Sequence, residues 1–190
     1  EEGRLALIAG KQKLTDEDWV APYRELASWK PYLSEGFEAQ TYPDSQNLFT
    51  LGRAAIYPSG SWEISGFNTN AKFKMGAFPP PVVNAGDQCY INDHTDIGVG
   101  LNPKSPNAEA AKKFLSWVAS PAFGEIFANN LPGFYPLSNT PVTITDPLAQ
   151  EFASWRKDCK STIRFSYAIL SRGKPTLDNE NWNASVQVLK

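Results

Sequence analysis

A polar residue followed directly by proline punctuates the chain at Ser105-Pro106, Ser120-Pro121 and Asp146-Pro147. Each pair is a helix start, because the side-chain oxygen caps free backbone N–H groups and proline fits the first turn, where its missing N–H is not needed. Apolar residues follow at helical spacing. They are Ala111, Phe114, Leu115 and Val118 after the first pair, Phe123, Ile126 and Phe127 after the second, and Leu148, Phe152, Trp155 and Cys159 after the third. The second of these helices should end near Asn130. Earlier, Thr15-Asp16-Glu17-Asp18 is a cap with an acidic first turn, and Trp19, Val20, Tyr23, Leu26 and Ala27 predict about four helical turns before Pro31. A further helix starts at Asp44, carries Leu48 and Phe49 and stops at Gly52, and a last one begins near Asp178.

Short strands are expected between these helices. Residues 54–57 form an apolar run ending at the turn Pro58-Ser59-Gly60-Ser61, and residues 73–78 are halted by Pro79, Pro80 and Pro81. Ile97, Val99 and Leu101 alternate with Gly98 and Gly100. Helices interleaved with short strands predict an α/β architecture.

Composition excludes several classes. With 42% hydrophobic and 13% aromatic residues the chain has enough apolar surface for a core, which excludes intrinsic disorder. A net charge of −2 argues against a general nucleic-acid binder. No apolar run approaches the roughly 20 residues of a membrane span, so no membrane insertion is expected. Cys89 and Cys159 are too few and too far apart for a zinc motif, and either a disulfide or two buried thiols fits their spacing. The absence of an initiating Met and a leader suggests a fragment of a longer protein.

Aromatic residues outside the helical stripes are the strongest functional signal. Trp62 follows the Pro-Ser-Gly-Ser turn, and Phe134-Tyr135 follow Leu131-Pro132-Gly133. Loops at element ends are where α/β proteins bind ligands, and an aromatic face there can stack on the C–H face of a sugar. The alternative for Trp62 is a core residue capping a lobe; Trp19, Trp29, Trp117 and Trp155 lie in or beside helical patterns and read as core. Asp93 and His94 share the loop Asn92-Asp93-His94-Thr95-Asp96, which admits an acid–base pair, a polar ligand contact or a solvated loop. There is no Gly-x-Ser-x-Gly nucleophile motif, and no Lys follows Gly60-Ser61 as a phosphate loop requires. Asn183-Ala184-Ser185 matches a glycosylation sequon inside a predicted helix.

From residue 48 to about 138 the order of motifs resembles the carboxyl-terminal half of the sugar-binding proteins of ABC importers, the extracellular solute-binding family that includes maltose-binding protein. Leu48-Phe49 with Gly52-Arg53-Ala54-Ala55-Ile56 resembles its Phe, Gly-Lys-Ala-Ala signature, and Ser59-Gly60-Ser61-Trp62 its Gly-x-Trp turn. Phe73-Lys74-Met75-Gly76 and the prolines resemble the strand leading to the cleft. The Gly-rich stretch 97–101 followed by Ser105, Asn107 and Glu109-Ala110-Ala111-Lys112-Lys113-Phe114-Leu115 is the most specific match, and Pro132-Gly133-Phe134-Tyr135-Pro136 resembles the segment after it.

The resemblance implies a periplasmic-binding-protein-like (type II) clamshell of two α/β lobes, present in part, that closes on ligand about a hinge. Residues 1–66 and a helical return over 142–190 would belong to the second lobe and residues 67–141 to the first, in a natural chain about twice this length. It further implies a non-catalytic receptor, periplasmic or lipid-anchored at the cell surface, that delivers a carbohydrate to the transmembrane subunits of an ABC permease and holds no prosthetic group. Trp62 matches the family's sugar-stacking Trp, and Trp182 falls where the last helix presents another aromatic. The loop 90–96 departs from the family's small, Gly-rich segment, so Asp93 and His94 would contact a more polar ligand or a distinct sugar, with Ser61 and Tyr135 completing the site. Across opposing lobes Cys89 and Cys159 would be free thiols or a hinge-side disulfide. The rival reading is a carbohydrate-active enzyme with Glu63 and Asp93 as its acid–base pair.

Overall fold

A computed structural model of the protein describes residues 2–93, 95, 97–136, 139–163 and 176–190. Among them are eight α-helices and a single two-stranded sheet. The chain divides into two compact units, one built from Glu1–Tyr42 with Thr162–Lys190 and the other from Pro43–Ser161.

In the first unit, α1 (Glu2–Ile8) precedes α2 (Glu17–Ser28), and α8 (Thr176–Leu189) packs against α2. Helix α2 starts after Asp16, which is extended at φ −72° but makes no side-chain cap bond to the helix; its carboxylate accepts from the Lys13 N–H at 2.9 Å, in the turn before it. Trp19, Tyr23, Leu26 and Ala27 are half-buried as the stripe predicts, whereas Val20 lies at its exposed edge. The helix is three turns rather than four. Pro22 sits inside it at an exposed position, and its ring leaves no N–H to donate to the Asp18 carbonyl.

The second unit carries α3 (Tyr42–Thr50), a 3₁₀ turn Ser61–Glu63 running into α4 (Ile64–Asn70), β1 (Tyr90–Asp93), α5 (Ala108–Val118), α6 (Pro121–Asn130), α7 (Pro147–Ser154) and the start of β2 (Lys160–Ile163). The proline-marked starts behave as their chemistry demands in two of three cases. Ser120 Oγ accepts from the Phe123 N–H at 3.3 Å, and Asp146 Oδ1 accepts from the Ala149 N–H at 2.8 Å. At the third, Ser105 Oγ accepts from the Asn107 N–H at 3.2 Å, which makes a local turn, and α5 begins only at Ala108. Its less exposed stripe is Ala108, Ala111, Leu115 and Val118, while Phe114 is exposed. Helix α7 stops at Ser154, so Trp155 falls in a 3₁₀ turn and Cys159 lies beyond the helix. Cys159 is instead bonded to Cys89, immediately before β2.

None of the three expected strands, over 54–57, 73–78 and 97–101, forms. A strand needs a ladder partner for its N–H and C=O groups, and the described residues supply none to these segments. Tyr57 and Phe73 instead join an aromatic cluster with Phe49 and Phe67, at centroid distances of 4.9–5.9 Å. Ile97 and Val99 are each 61% exposed. The core of this unit is small: Ile64, Phe67, Ala128, Ala149 and Cys159 are buried, with a second aromatic row running from Trp117 through Phe123 and Phe127 to Phe134.

Asn129 ties α6 to the approach to α7. Its Nδ2 donates to the Thr143 carbonyl at 2.9 Å, and its Oδ1 accepts from the Thr145 N–H at 2.9 Å. With Glu125 accepting from the Thr143 N–H at 3.0 Å, the loop before α7 is held along α6.

Candidate functional site

Two turns meet backbone to backbone, the 3₁₀ turn that carries Trp62 and the Leu131-Pro132-Gly133 turn that precedes Tyr135. Gly133 has φ +98°, and a Cβ placed on it would stand 1.7 Å from the Ser61 carbonyl oxygen. Only glycine allows both that conformation and that approach. The Ser61 hydroxyl donates to the Gly133 carbonyl at 2.6 Å, closing the contact across 72 residues of sequence. On the other side of Ser61, the Trp62 ring lies over Gly60, where an added Cβ would come within 2.1 Å of it. The indole therefore rests on backbone and keeps 40% of its surface exposed.

Tyr135 is half-buried, and its hydroxyl donates to the Ala149 carbonyl at 2.8 Å. Burial pushes its pKa up to about 12, and the Asp146 and Asp93 carboxylates add to the rise. The phenol is thus neutral and committed to α7. Asp146 holds that helix start and also accepts from Asn68 Nδ2 at 2.7 Å, which links α7 to α4. At the end of β1, Asp93 Oδ2 pairs with Arg156 Nη2 at 2.6 Å and accepts from Ser161 Oγ at 3.1 Å.

Of the expected site residues, Ser61, Trp62, Asp93 and Tyr135 all lie in the second unit. Ser61 and Tyr135 have their hydroxyls engaged by backbone carbonyls, so they hold the scaffold of the site rather than offering those protons to a ligand. Trp182 is on α8 in the first unit and is 70% exposed. His94 lies outside the described residues. Of the two cysteine states left open by the sequence, the disulfide is present.

Glu63 is 6% exposed, and it accepts from Gln46 Nε2 at 2.8 Å and from Ser59 Oγ at 3.4 Å. Those bonds tie α3 to the Ser61–Glu63 turn, and they leave an acid–base role for Glu63 with Asp93 without support. Two open hollows flank the turn-bearing region. One of about 330 Å³ is bordered by Gln46, Thr50, Glu63 and Asn70; the other, of about 390 Å³, by Phe67, Phe73, Lys74, Asp146, Leu148 and Glu151. None of the residues expected to bind ligand lines either. Among the described residues no group of three metal-ligating side chains forms, and no helix is long and apolar enough to cross a membrane.

Local sequence patterns missed Arg156, Ser161, Gly133 and Asp146 as parts of this arrangement. The Leu-Pro-Gly turn signal at Gly133 and the Asp146-Pro147 helix start were available in advance. The partners of the others lie dozens of residues away along the chain.

Residues 3–125 match the family model described as bacterial extracellular solute-binding protein, well over half of the chain. The match reaches back far beyond residue 48, where the motif resemblance begins. No curated protein matches the chain.

Proposed function

We propose that this chain, which belongs to the family of bacterial extracellular solute-binding proteins, captures a carbohydrate and delivers it to the transmembrane subunits of an ABC permease. A ligand-binding receptor for ABC transport, generally non-enzymatic, is the function the family carries; the carbohydrate is our reading of the site. One observation supports it above the others: an indole seated on a glycine, 40% exposed, on a turn locked in place by a second glycine. A preorganised flat apolar face of this kind suits the C–H face of a pyranose, and fixing it before binding removes an ordering cost. Asp93 then supplies a carboxylate acceptor for hydroxyls, with His94 beside it in sequence. Ser61 and Tyr135 stabilise the turns that hold Trp62, and Trp182 offers a second exposed aromatic. On this reading residues 1–66 and 142–190 belong to one lobe and 67–141 to the other, and the protein works in the periplasm or as a cell-surface lipoprotein.

The test is a thermal-shift screen of the protein against monosaccharides, oligosaccharides and polyols. A sugar at 100 times its Kd stabilises by about 2.7 kcal/mol, a shift of about 5–10 °C for a chain of this size. Trp62→Ala should weaken the responding sugar about 30-fold, as loss of a 2 kcal/mol anchor does. A screen with no shift for any sugar refutes the carbohydrate reading; release of product from a responding sugar would refute the receptor.

A further inference from the structure

Strands β1 and β2 leave a common covalent anchor. Cys89 lies one residue before β1 and Cys159 one residue before β2, and their Cα atoms are 4.7 Å apart across the disulfide. Around that bond the Lys160 N–H donates to the Cys89 carbonyl at 3.0 Å, and Gln88 Nε2 reaches the Asp158 carbonyl at 3.4 Å. Beyond it, Asp93 receives both of its donors from the segment that carries Cys159: Arg156 Nη2 at 2.6 Å and Ser161 Oγ at 3.1 Å. Both contacts fall on Oδ2. The other oxygen, Oδ1, has no partner among the described residues, and the Asp93 side chain is 38% exposed.

We propose that Arg156 and Ser161 are positioning residues which, through the Cys89–Cys159 bond, hold the Asp93 carboxylate in one orientation and leave Oδ1 to accept from a ligand hydroxyl. This rests on the reading of Asp93 as a ligand contact. An exposed ion pair between two flexible side chains contributes little, because ordering them offsets the attraction. Here the two backbones are already joined, so part of that ordering is complete before the pair forms, which is the meaning of preorganisation. Arg156 acts through its charge and Ser161 through its hydroxyl on one oxygen, and together they select which oxygen faces outward. The coupling must run both ways. If the disulfide holds the ion pair together, the ion pair holds the disulfide closed.

That reciprocity gives a test that needs no sugar. The protein is equilibrated in glutathione redox buffers, where two glutathione thiols give up two electrons and two protons to become glutathione disulfide and the Cys89–Cys159 bond becomes two thiols. The oxidised fraction gives the effective concentration of the thiol pair. Asp93→Asn and Arg156→Met should each lower it about 1.4- to 5-fold, the range an exposed ion pair supports, and the double variant should lower it no further than the larger single effect. Glu17→Gln, which breaks an ion pair of the same 2.6 Å length in the other unit, should leave it unchanged. Asp93 and Arg156 variants that match the parent, or effects that add in the double, overturn the proposal.

A second measurement separates this failure from failure of the binding reading. Thermal shifts with glucose, galactose, mannose and maltose are compared for the oxidised protein, the glutathione-reduced protein, Arg156→Met and Asp93→Ala. Asp93→Ala should abolish a shift that reduction and Arg156→Met each weaken. A shift lost in Asp93→Ala yet untouched by reduction and by Arg156→Met refutes positioning and leaves the reading of Asp93 intact. A shift that survives Asp93→Ala refutes Asp93 as a contact, while the redox equilibria still decide whether the pair and the disulfide are coupled.

Discussion

Replacing Gly133 by alanine should be the most damaging single-carbon change in the second unit. Two separable effects act there. At φ +98° an L-residue with a Cβ is disfavoured, by about 1–2 kcal/mol on the scale of left-handed conformations. The new carbon would also stand 1.7 Å from the Ser61 carbonyl oxygen and 3.3 Å from Ile64 Cβ, contacts made by backbone and by a buried side chain that cannot swing away. Relieving that overlap means separating the two turns, and overpacking of this kind costs about 1–3 kcal/mol. Separation also stretches the 2.6 Å bond from Ser61 Oγ to the Gly133 carbonyl. A combined loss of about 3 kcal/mol lowers the melting temperature by about 6–12 °C for a chain of 150–250 residues. Thermal unfolding followed by circular dichroism measures it. Gly76→Ala is the control, because nothing lies within 4 Å of its added Cβ and it should melt within about 2 °C of the parent. If Gly133→Ala melts with the control, the two turns are not locked by backbone approach, and the argument for a preorganised Trp62 falls with them.

Other substitutions test the surrounding framework. Gly66 is an exposed interior position of α4 with open space around it, so Gly66→Ala should raise stability by about 0.5–1 kcal/mol in a denaturant titration. Asp146→Ala removes the cap of α7 and the acceptor for Asn68 together, and should lower stability by about 1–2 kcal/mol in the same assay. Tyr135 carries a pKa raised to about 12 from an ordinary value near 10, so the neutral phenol is the form the fold prefers. Its contribution is therefore complete below pH 10 and is lost as the pH rises through 12. Ultraviolet titration should show a late tyrosinate that Tyr135→Phe removes, and the variant should lose the parent's extra alkaline destabilisation between pH 10 and 12.

Much of the helical framework was legible because helix starts are written in adjacent residues. Ser120-Pro121 and Asp146-Pro147 cap their helices with the side chains that their spacing predicts, and α3 stops just before Gly52, which lies at φ +71°. Capping, proline geometry and a 3.6-residue apolar period are local physics, so a short window of sequence contains all the information they need. Trp62 stood out for the same reason, as an aromatic following a turn rather than lying on a helical stripe. Membership of the solute-binding family was legible too, in the order of motifs from residue 48 onward, and the match from residue 3 extends it.

Strands and site chemistry were a different matter. Residues 54–57, 73–78 and 97–101 have strand-like composition, yet a strand exists only when another segment offers its backbone, and no local pattern contains that partner. Phe73 packs on Phe49 instead, while Ile97 and Val99 remain exposed. Sequence alone determined the helix starts at Ser120-Pro121 and Asp146-Pro147 and which aromatic sits on a turn. Tertiary structure alone decided that Cys89 bonds Cys159, that Ser61 closes on Gly133, that the Tyr135 hydroxyl belongs to α7, and that Asp93 is gripped by Arg156 and Ser161. Each of those contacts joins groups far apart along the chain, and such a contact is chosen by how the whole unit packs, not by the residues on either side of it.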